Sequence, residues 1–458
     1  MSETRDLPVS GRLAAWIEGL EPQALPAPVV EMCRRLVIDV AGLCLAARRE
    51  EYVRATLASR SGDGACTVLG HDGGFTPYDA ALVNGTAAHG EDFDDTFEGG
   101  PVHSGAVVLP AVLALAQARD RGGPALLRGL VVGVELLCRL SLVAPKAIHK
   151  AGFHPTAVLG ALATAAAGAA TLGLDRSRTA HALGIAGSTA SGIIEYLGDG
   201  SWTKRMHAGW AAQGGIRAAL MAEGGFIGPR SVLEGSHGFF KAFAPSRAPD
   251  FDVLLDRLGA YWQLETLAFK PYACGTMTQP YIDCAIELAR RGVSADDIVG
   301  LECAVGEGTV HRLWEPLELK RRPPTAYAAK FSTPFCIAIG FLTGKAGLAQ
   351  FSEETVRDER VLRLAARVGY FVDPDNEYPR NYTGHVRATL ADGRVIELRQ
   401  PHMRGGAREP LSRAEVERKF RDNAAFGGVG EAAAVRLLGT LDGLFEQPRI
   451  GGAEGWAV

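Results

Sequence analysis

The chain has 458 residues, with 48 Lys plus Arg against 52 Asp plus Glu and a formal net charge of −4. That balance lacks the basic face needed to neutralise phosphates and excludes a general nucleic-acid binder. Hydrophobic residues at 47% and charged residues at 22% describe a globular chain long enough for two or three domains and exclude a disordered one.

Residues 1–9 hold Glu3, Arg5 and Asp6 and no apolar run of a secretory signal. The pattern at 12–20 predicts a short amphipathic helix. Val29, Val30, Cys33, Leu36, Val37, Val40 and Leu43 recur at helical spacing and predict a helix over 29–47. A short β excursion is expected around Cys66-Thr67-Val68-Leu69. Helices are then predicted over 80–89, 107–119, 126–142, the Ala-rich run after His154, 179–188 and 209–223. Residues 153–174 carry no formal charge, but Ala, Gly and Thr dominate, so a buried core helix is expected there, not a membrane span.

The character changes near residue 251. Residues 298–305 and 386–398 are strand-like, and Ala391-Asp392-Gly393-Arg394 marks a hairpin turn within the latter. Helices over 280–291 and 335–342 lie between them. Ser412-Arg413-Ala414-Glu415 has the capping-box pattern that opens a new helix, and another is expected over 430–445. The organisation predicted is a large all-α domain (1–267), a smaller α+β domain (268–405) and C-terminal helices (406–458) that return to the first.

Eight cysteines, Cys33, Cys44, Cys66, Cys138, Cys274, Cys284, Cys303 and Cys336, form no C-x-x-C pair. They read as reduced, buried thiols of a cytoplasmic protein. No phosphate-binding loop, H-E-x-x-H, G-x-S-x-G or convincing dinucleotide fingerprint is present, so ATP hydrolysis, zinc proteolysis and hydride transfer lose ground.

Four blocks carry chemistry. His89-Gly90-Glu91-Asp92-Phe93-Asp94-Asp95-Thr96 packs four acids into five residues, which repel unless they meet cations, metal or protons. A Gly-Gly-Pro loop then presents His103. Thr203-Lys204-Arg205-Met206-His207-Ala208-Gly209 puts Lys204 and His207 on one helix face, suited to binding and protonating a carboxylate. His154 opens the apolar run, where an imidazole can be held neutral. Lys270, in Phe269-Lys270-Pro271-Tyr272, is a candidate carboxylate clamp. The plain alternatives are a solvated acidic helix cap, a surface lysine and core histidines. Histidines, lysines and carboxylates without a metal motif are the equipment for proton transfer beside a carboxylate, where cations hold the developing enediolate.

Together these blocks resemble the MmgE/PrpD family, which includes 2-methylcitrate dehydratase, cis-aconitate decarboxylase and iminodisuccinate epimerase. The resemblance rests on Asn84-Gly85-Thr86-Ala87-Ala88-His89 leading into Asp92–Thr96, and on His103-Ser104-Gly105-Ala106 leading to Leu109-Pro110-Ala111. It continues through Gly152–Thr156, Lys204–Gly209, Leu233-Glu234-Gly235, Gly238-Phe239-Phe240, Lys270-Pro271-Tyr272 and Ala329-Lys330-Phe331-Ser332. It implies a mainly α fold with a helical domain and an α+β lid, a homodimer, a site in the cleft between domains, and no metal or organic cofactor. It implies a pocket lined by Asp92, Thr96, His103, His154, Lys204, His207 and Lys270, with Tyr272 beside it. Lys204 and Lys270 would hold substrate carboxylates, His103 and His154 would act as acid and base, and Asp92 would orient a histidine or lysine.

The chain departs from the family pattern in places. Ser104 stands where many relatives have Pro, and Phe97 where many have His. Gly275, Thr276 and Gln279 replace a Cys- or Arg-rich turn and a common His, and Phe335 stands where the decarboxylase pattern has Tyr. These departures favour a 2-methylcitrate- or citrate-like dehydratase, with an epimerase, isomerase or decarboxylase of a related dicarboxylate as the alternative. Remoter rivals are a carboxylate-binding protein without chemistry, a magnesium site on the Asp cluster, and a protonating terpene cyclase suggested by D-x-D-D-T. An aromatic content of 7% argues against the cyclase.

Overall fold

The computed structural model describes residues 7–100 and 102–456, so the start of the chain and Pro101 lie outside the described residues. The chain divides into two compact units, residues 1–267 with 413–458, and residues 268–412. The fold is mainly α, with strands concentrated in the smaller unit.

The first unit is built from long helices. Ala27–Ala47, Pro77–His89, Ser104–Ala118, Gly123–Val143, Pro155–Leu172, Arg176–Thr189 and Thr203–Glu223 are its main elements. Pro155–Leu172 is long and apolar enough to cross a membrane, yet every residue of it is buried within the protein. Its Ala and Gly content explains this, because small side chains let neighbouring backbones close on all sides. Glycines set the approach. A Cβ on Gly85 would lie 2.5 Å from Gly209 Cα, and one on Gly215 would lie 2.0 Å from Thr164 Oγ1. Helix Thr203–Glu223 therefore beds directly against both Pro77–His89 and Pro155–Leu172.

Helix starts lie earlier than the apolar pattern predicts because caps decide them. Thr76 accepts from the Asp79 N–H at 3.2 Å and starts its helix at Pro77. The helix expected from 107 starts at Ser104. Its first N–H groups are satisfied by Asp95, a residue outside the periodic segment. A buried pair, Arg139 and Glu135 at 2.5 Å, fixes the segment before the second unit. Arg139 donates to the carbonyls of Asp256 and Tyr261, and Glu135 accepts from Leu264 N.

The second unit is a four-stranded sheet in the order Val368–Val372, Ile298–Val305, Gly384–Leu390, Val395–Gln400, with helix Gln279–Arg290 packed on it. The last two strands form the expected hairpin, with Gly393 at φ +88° in its turn. Strand Val368–Val372, parallel to Ile298–Val305, was not expected. Only Val368 of its five residues is buried, so no alternation marks it.

The chain then returns to the first unit through helices Arg413–Phe426 and Glu431–Asp442. All eight cysteines are buried and free.

Candidate active site

Four helix ends and one loop meet in the first unit. His89 is the last residue of Pro77–His89, His154 is the N-cap of Pro155–Leu172, and Lys204 and His207 lie in the first turns of Thr203–Glu223. The acidic loop 91–96 follows His89, and His103 caps helix Ser104–Ala118. The glycine-mediated crossings described above hold these ends together.

The loop's acids have separate partners. Asp92, at φ +55° in a region that Asp tolerates better than most residues, is ion-paired with Lys204. Asp94 receives His89 Nδ1 at 2.7 Å, and both side chains are fully buried. Asp95 accepts from Ser104 N at 3.0 Å and Gly105 N at 2.9 Å. Burial, Asp94 and Asp39 push its carboxyl up to about 8, against the pull of those two N–H groups. Gly105 is required there, since a Cβ would lie 2.5 Å from Asp95 Oδ1. Glu91 accepts from Tyr52 Oη at 3.1 Å and lies 3.5 Å from Arg205, which stacks 4.4 Å over the Tyr52 ring.

Four imidazoles form one cluster. The ring centroids of His89 lie 5.1 Å from those of His103 and 5.5 Å from those of His154, and His154 lies 5.3 Å from His207. His103 Nδ1 is 2.7 Å from the Asp95 carbonyl, which can only accept, so Nδ1 carries the proton and Nε2 holds the lone pair of the neutral ring. His154 and His207 face each other through Nδ1 at 3.1 Å, so one donates and the other accepts. Burial, followed by the charges of His89 and Lys204, holds His154 well below the ordinary histidine value. The same causes bring His207 down to about 4. Tyr196 packs edge-on against both rings, at 6.2 and 5.8 Å.

Of the residues singled out in the sequence, Asp92, His103, His154, Lys204 and His207 thus converge, and Thr96 is buried in the same loop. Lys270 and Tyr272 belong to the second unit. Lys270 is buried there. Tyr272 Oη donates to Asp283 at 2.6 Å and accepts from Arg404 at 3.2 Å, and Arg404 also bonds Asp283 at 3.1 Å. Gln279 donates to the carbonyls of Tyr272 and Cys274, at 3.2 and 3.3 Å, and so braces the turn after Lys270. Phe335 is fully buried.

Sequence reasoning left out His89, Asp94 and Tyr196. His89 and Asp94 were visible inside the quoted blocks, but nothing in a linear acidic run says which carboxylate meets which ring. For Tyr196 there was no signal. His89, Asp94 and His103 each offer a donor atom, all within 4.8 Å of one another, and are the metal-compatible group among the described residues. The close His89–Asp94 hydrogen bond accounts for two of the three without an ion.

Comparison with known proteins shows the family. Residues 11–252 match the MmgE/PrpD N-terminal domain and residues 272–438 the MmgE/PrpD C-terminal domain. Cis-aconitate decarboxylase of Homo sapiens is 31% identical, covering 91% of this chain and 88% of its own length. The Aspergillus terreus and Mus musculus cis-aconitate decarboxylases are each 30% identical, covering 94% and 91% of this chain and 92% and 87% of their own lengths. With both domain models matched in order and full-length relatives at this identity, the chain belongs to the MmgE/PrpD family.

Proposed function

We propose that this protein is a cofactor-independent carboxy-lyase acting on a small di- or tricarboxylate of the cis-aconitate type. The observation that carries the reading is the histidine cluster: four imidazoles, two of them held neutral, beside the Lys204–Asp92 pair. The relatives are cis-aconitate decarboxylases, which favours the decarboxylase that the sequence ranks second over the citrate-type dehydratase that it ranks first.

Decarboxylation breaks the bond to a departing carboxylate and leaves its electron pair on carbon. In an unsaturated acid that pair passes into the neighbouring double bond and carboxylate as an enediolate. One proton then forms the new C–H bond, so CO2 leaves and a proton is consumed. Lys204 supplies positive charge for the enediolate. His103, anchored through Nδ1, takes up a proton from solvent on the Nε2 lone pair and delivers that proton to the carbon. The neutral His154–His207 pair offers one Nε2–H donor and one Nε2 lone pair, without adding a second positive charge that would trap the carboxylate. Lys270 and Tyr272 are assigned to substrate carboxylates on the family resemblance alone. The reading includes a cytoplasmic homodimer with a soluble substrate and no nucleic-acid or membrane partner.

A second reading, dehydration or epimerisation of a related acid, is favoured by Phe335 and Gln279. The first supplies no hydroxyl, and the amide N–H groups of the second are spent on backbone carbonyls. Proton NMR of chelator-treated protein in D2O separates the two readings. The panel holds cis-aconitate, citrate, 2-methylcitrate and stereoisomers of substituted succinates and malates. The carboxy-lyase reading expects new methylene signals bearing one deuterium, with CO2 release. Alkene formation from a hydroxy acid, or exchange with no CO2, would replace it by the second.

A further inference from the structure

Helix Arg413–Phe426 is polar along most of its length, yet Lys419 in its middle is more than nine-tenths buried. Its Nζ donates to the Phe93 carbonyl at 2.8 Å and pairs with Asp39 at 2.7 Å. The ammonium also sits 3.9 Å from the centre of the Phe93 ring. One side chain therefore grips Phe93 by backbone and ring together, across 326 positions of sequence. Phe93 is the residue between Asp92, which pairs with Lys204, and Asp94, which pairs with His89. A lysine is buried at tolerable cost only where it is paired and hydrogen-bonded, and Asp39 and the Phe93 carbonyl meet both needs. The helix is seated to allow this grip. A Cβ on Gly42 would lie 3.0 Å from Phe420 Cα, so helix Ala27–Ala47 presents a glycine against the residue next to Lys419 and the two helices approach closely there.

We infer that Lys419 is a positioning residue for the reaction. It clamps the acidic loop at Phe93, so that Asp92 and Asp94 hold Lys204 and His89 in register. Its action is through those residues, not on substrate, and it deepens the proposed function by naming what the returning C-terminal helix contributes to it. A purely structural lysine would only balance Asp39. The two roles separate in the double variant Asp39→Asn with Lys419→Met, which removes both charges together. The clamp expects a kcat at least ~10-fold below wild type with KM within about threefold, since small misplacement of catalytic groups is costly. It also expects displaced imidazole 15N shifts for His89 and His103. A double variant with wild-type kcat and unmoved imidazole shifts overturns the clamp. Should the double variant not fold, Lys419→Arg decides. It keeps a charge beside Asp39 but not the compact ammonium at the Phe93 carbonyl. A kcat lowered at least ~5-fold, in proportion to that lost geometry, supports the clamp, and an unchanged kcat overturns it. If the wild type turns over none of the acids, the proposed function fails, while the imidazole shifts, which need no substrate, still test the clamp.

Discussion

The two halves of the histidine cluster treat the same side chain differently. His89 and His103 are tied through Nδ1 to the acidic loop, one to the Asp94 carboxylate and one to the Asp95 carbonyl. His154 and His207 are tied to each other, at the ends of helices rich in Ala and Gly, and burial keeps both neutral. The first half has its tautomer set by neighbouring oxygens. The second shares a proton between two nitrogens. An imidazole's tautomer is therefore set by what its nitrogens face, while burial decides the charge of the second pair, and residue type alone decides neither.

That contrast can be broken at several points. The largest effect is expected from His103→Ala and Lys204→Ala, each lowering turnover at least ~100-fold with an unchanged circular dichroism spectrum. Wild-type rates in both would remove the site assignment. Asp94→Asn cuts the carboxylate half alone. It should lower kcat roughly 10-fold by releasing the His89 ring, with a smaller change in KM, read by steady-state kinetics. Gly85→Ala attacks the crossing that brings the halves together, where a Cβ meets the Gly209 backbone at 2.5 Å. Overpacking of this kind costs ~1–3 kcal/mol, measurable as a lower urea midpoint.

The pH dependence of stability sharpens the comparison. His207 titrates near 4 when folded, against an ordinary value of 6.5. Between those values the unfolded chain takes up a proton that the folded one refuses. Its contribution is therefore complete above pH 6.5 and lost as pH falls toward 4, by roughly 1 kcal/mol per pH unit. Asp95, raised to about 8, acts in the opposite sense, since the folded form retains a proton that the unfolded form has released above about 4. The stability of wild type minus that of His207→Gln should therefore rise between pH 4 and 6.5 and level off above pH 7. A flat difference curve would show that His207 is not held neutral. The smallest effect belongs to the second unit. Tyr272→Phe removes one hydroxyl from a network in which Asp283 keeps Arg404, for a loss of about 1 kcal/mol by urea denaturation.

Much of this was legible in the residues. The helical phasing of 29–47, the Asp392-Gly393 hairpin and the small-residue stripe after His207 each follow from local rules, and the structure contains the elements they imply. The blocks around Asp92, His103, His154 and Lys204 were also visible. Their partners were less so. Asp95 looks like one acid among four, yet it caps a helix that starts nine residues away, and the strand at Val368 carries no alternation to betray it. Capping across a loop and pairing to a buried neighbour leave no periodic trace, because periodicity reports only which face of one element is apolar.

By itself the sequence determined that long helices would dominate, that a smaller mixed region would follow, and that histidines, lysines and carboxylates were the groups to look for. Each of these rests on composition or spacing within one segment. Only the tertiary structure decided that Asp94 goes to His89 while Asp92 goes to Lys204, that His154 and His207 share a proton, and that Lys419 reaches back to Phe93. Those choices depend on which backbones approach closely enough for a hydrogen bond. The approach is set by glycine contacts between helices that are far apart in the chain.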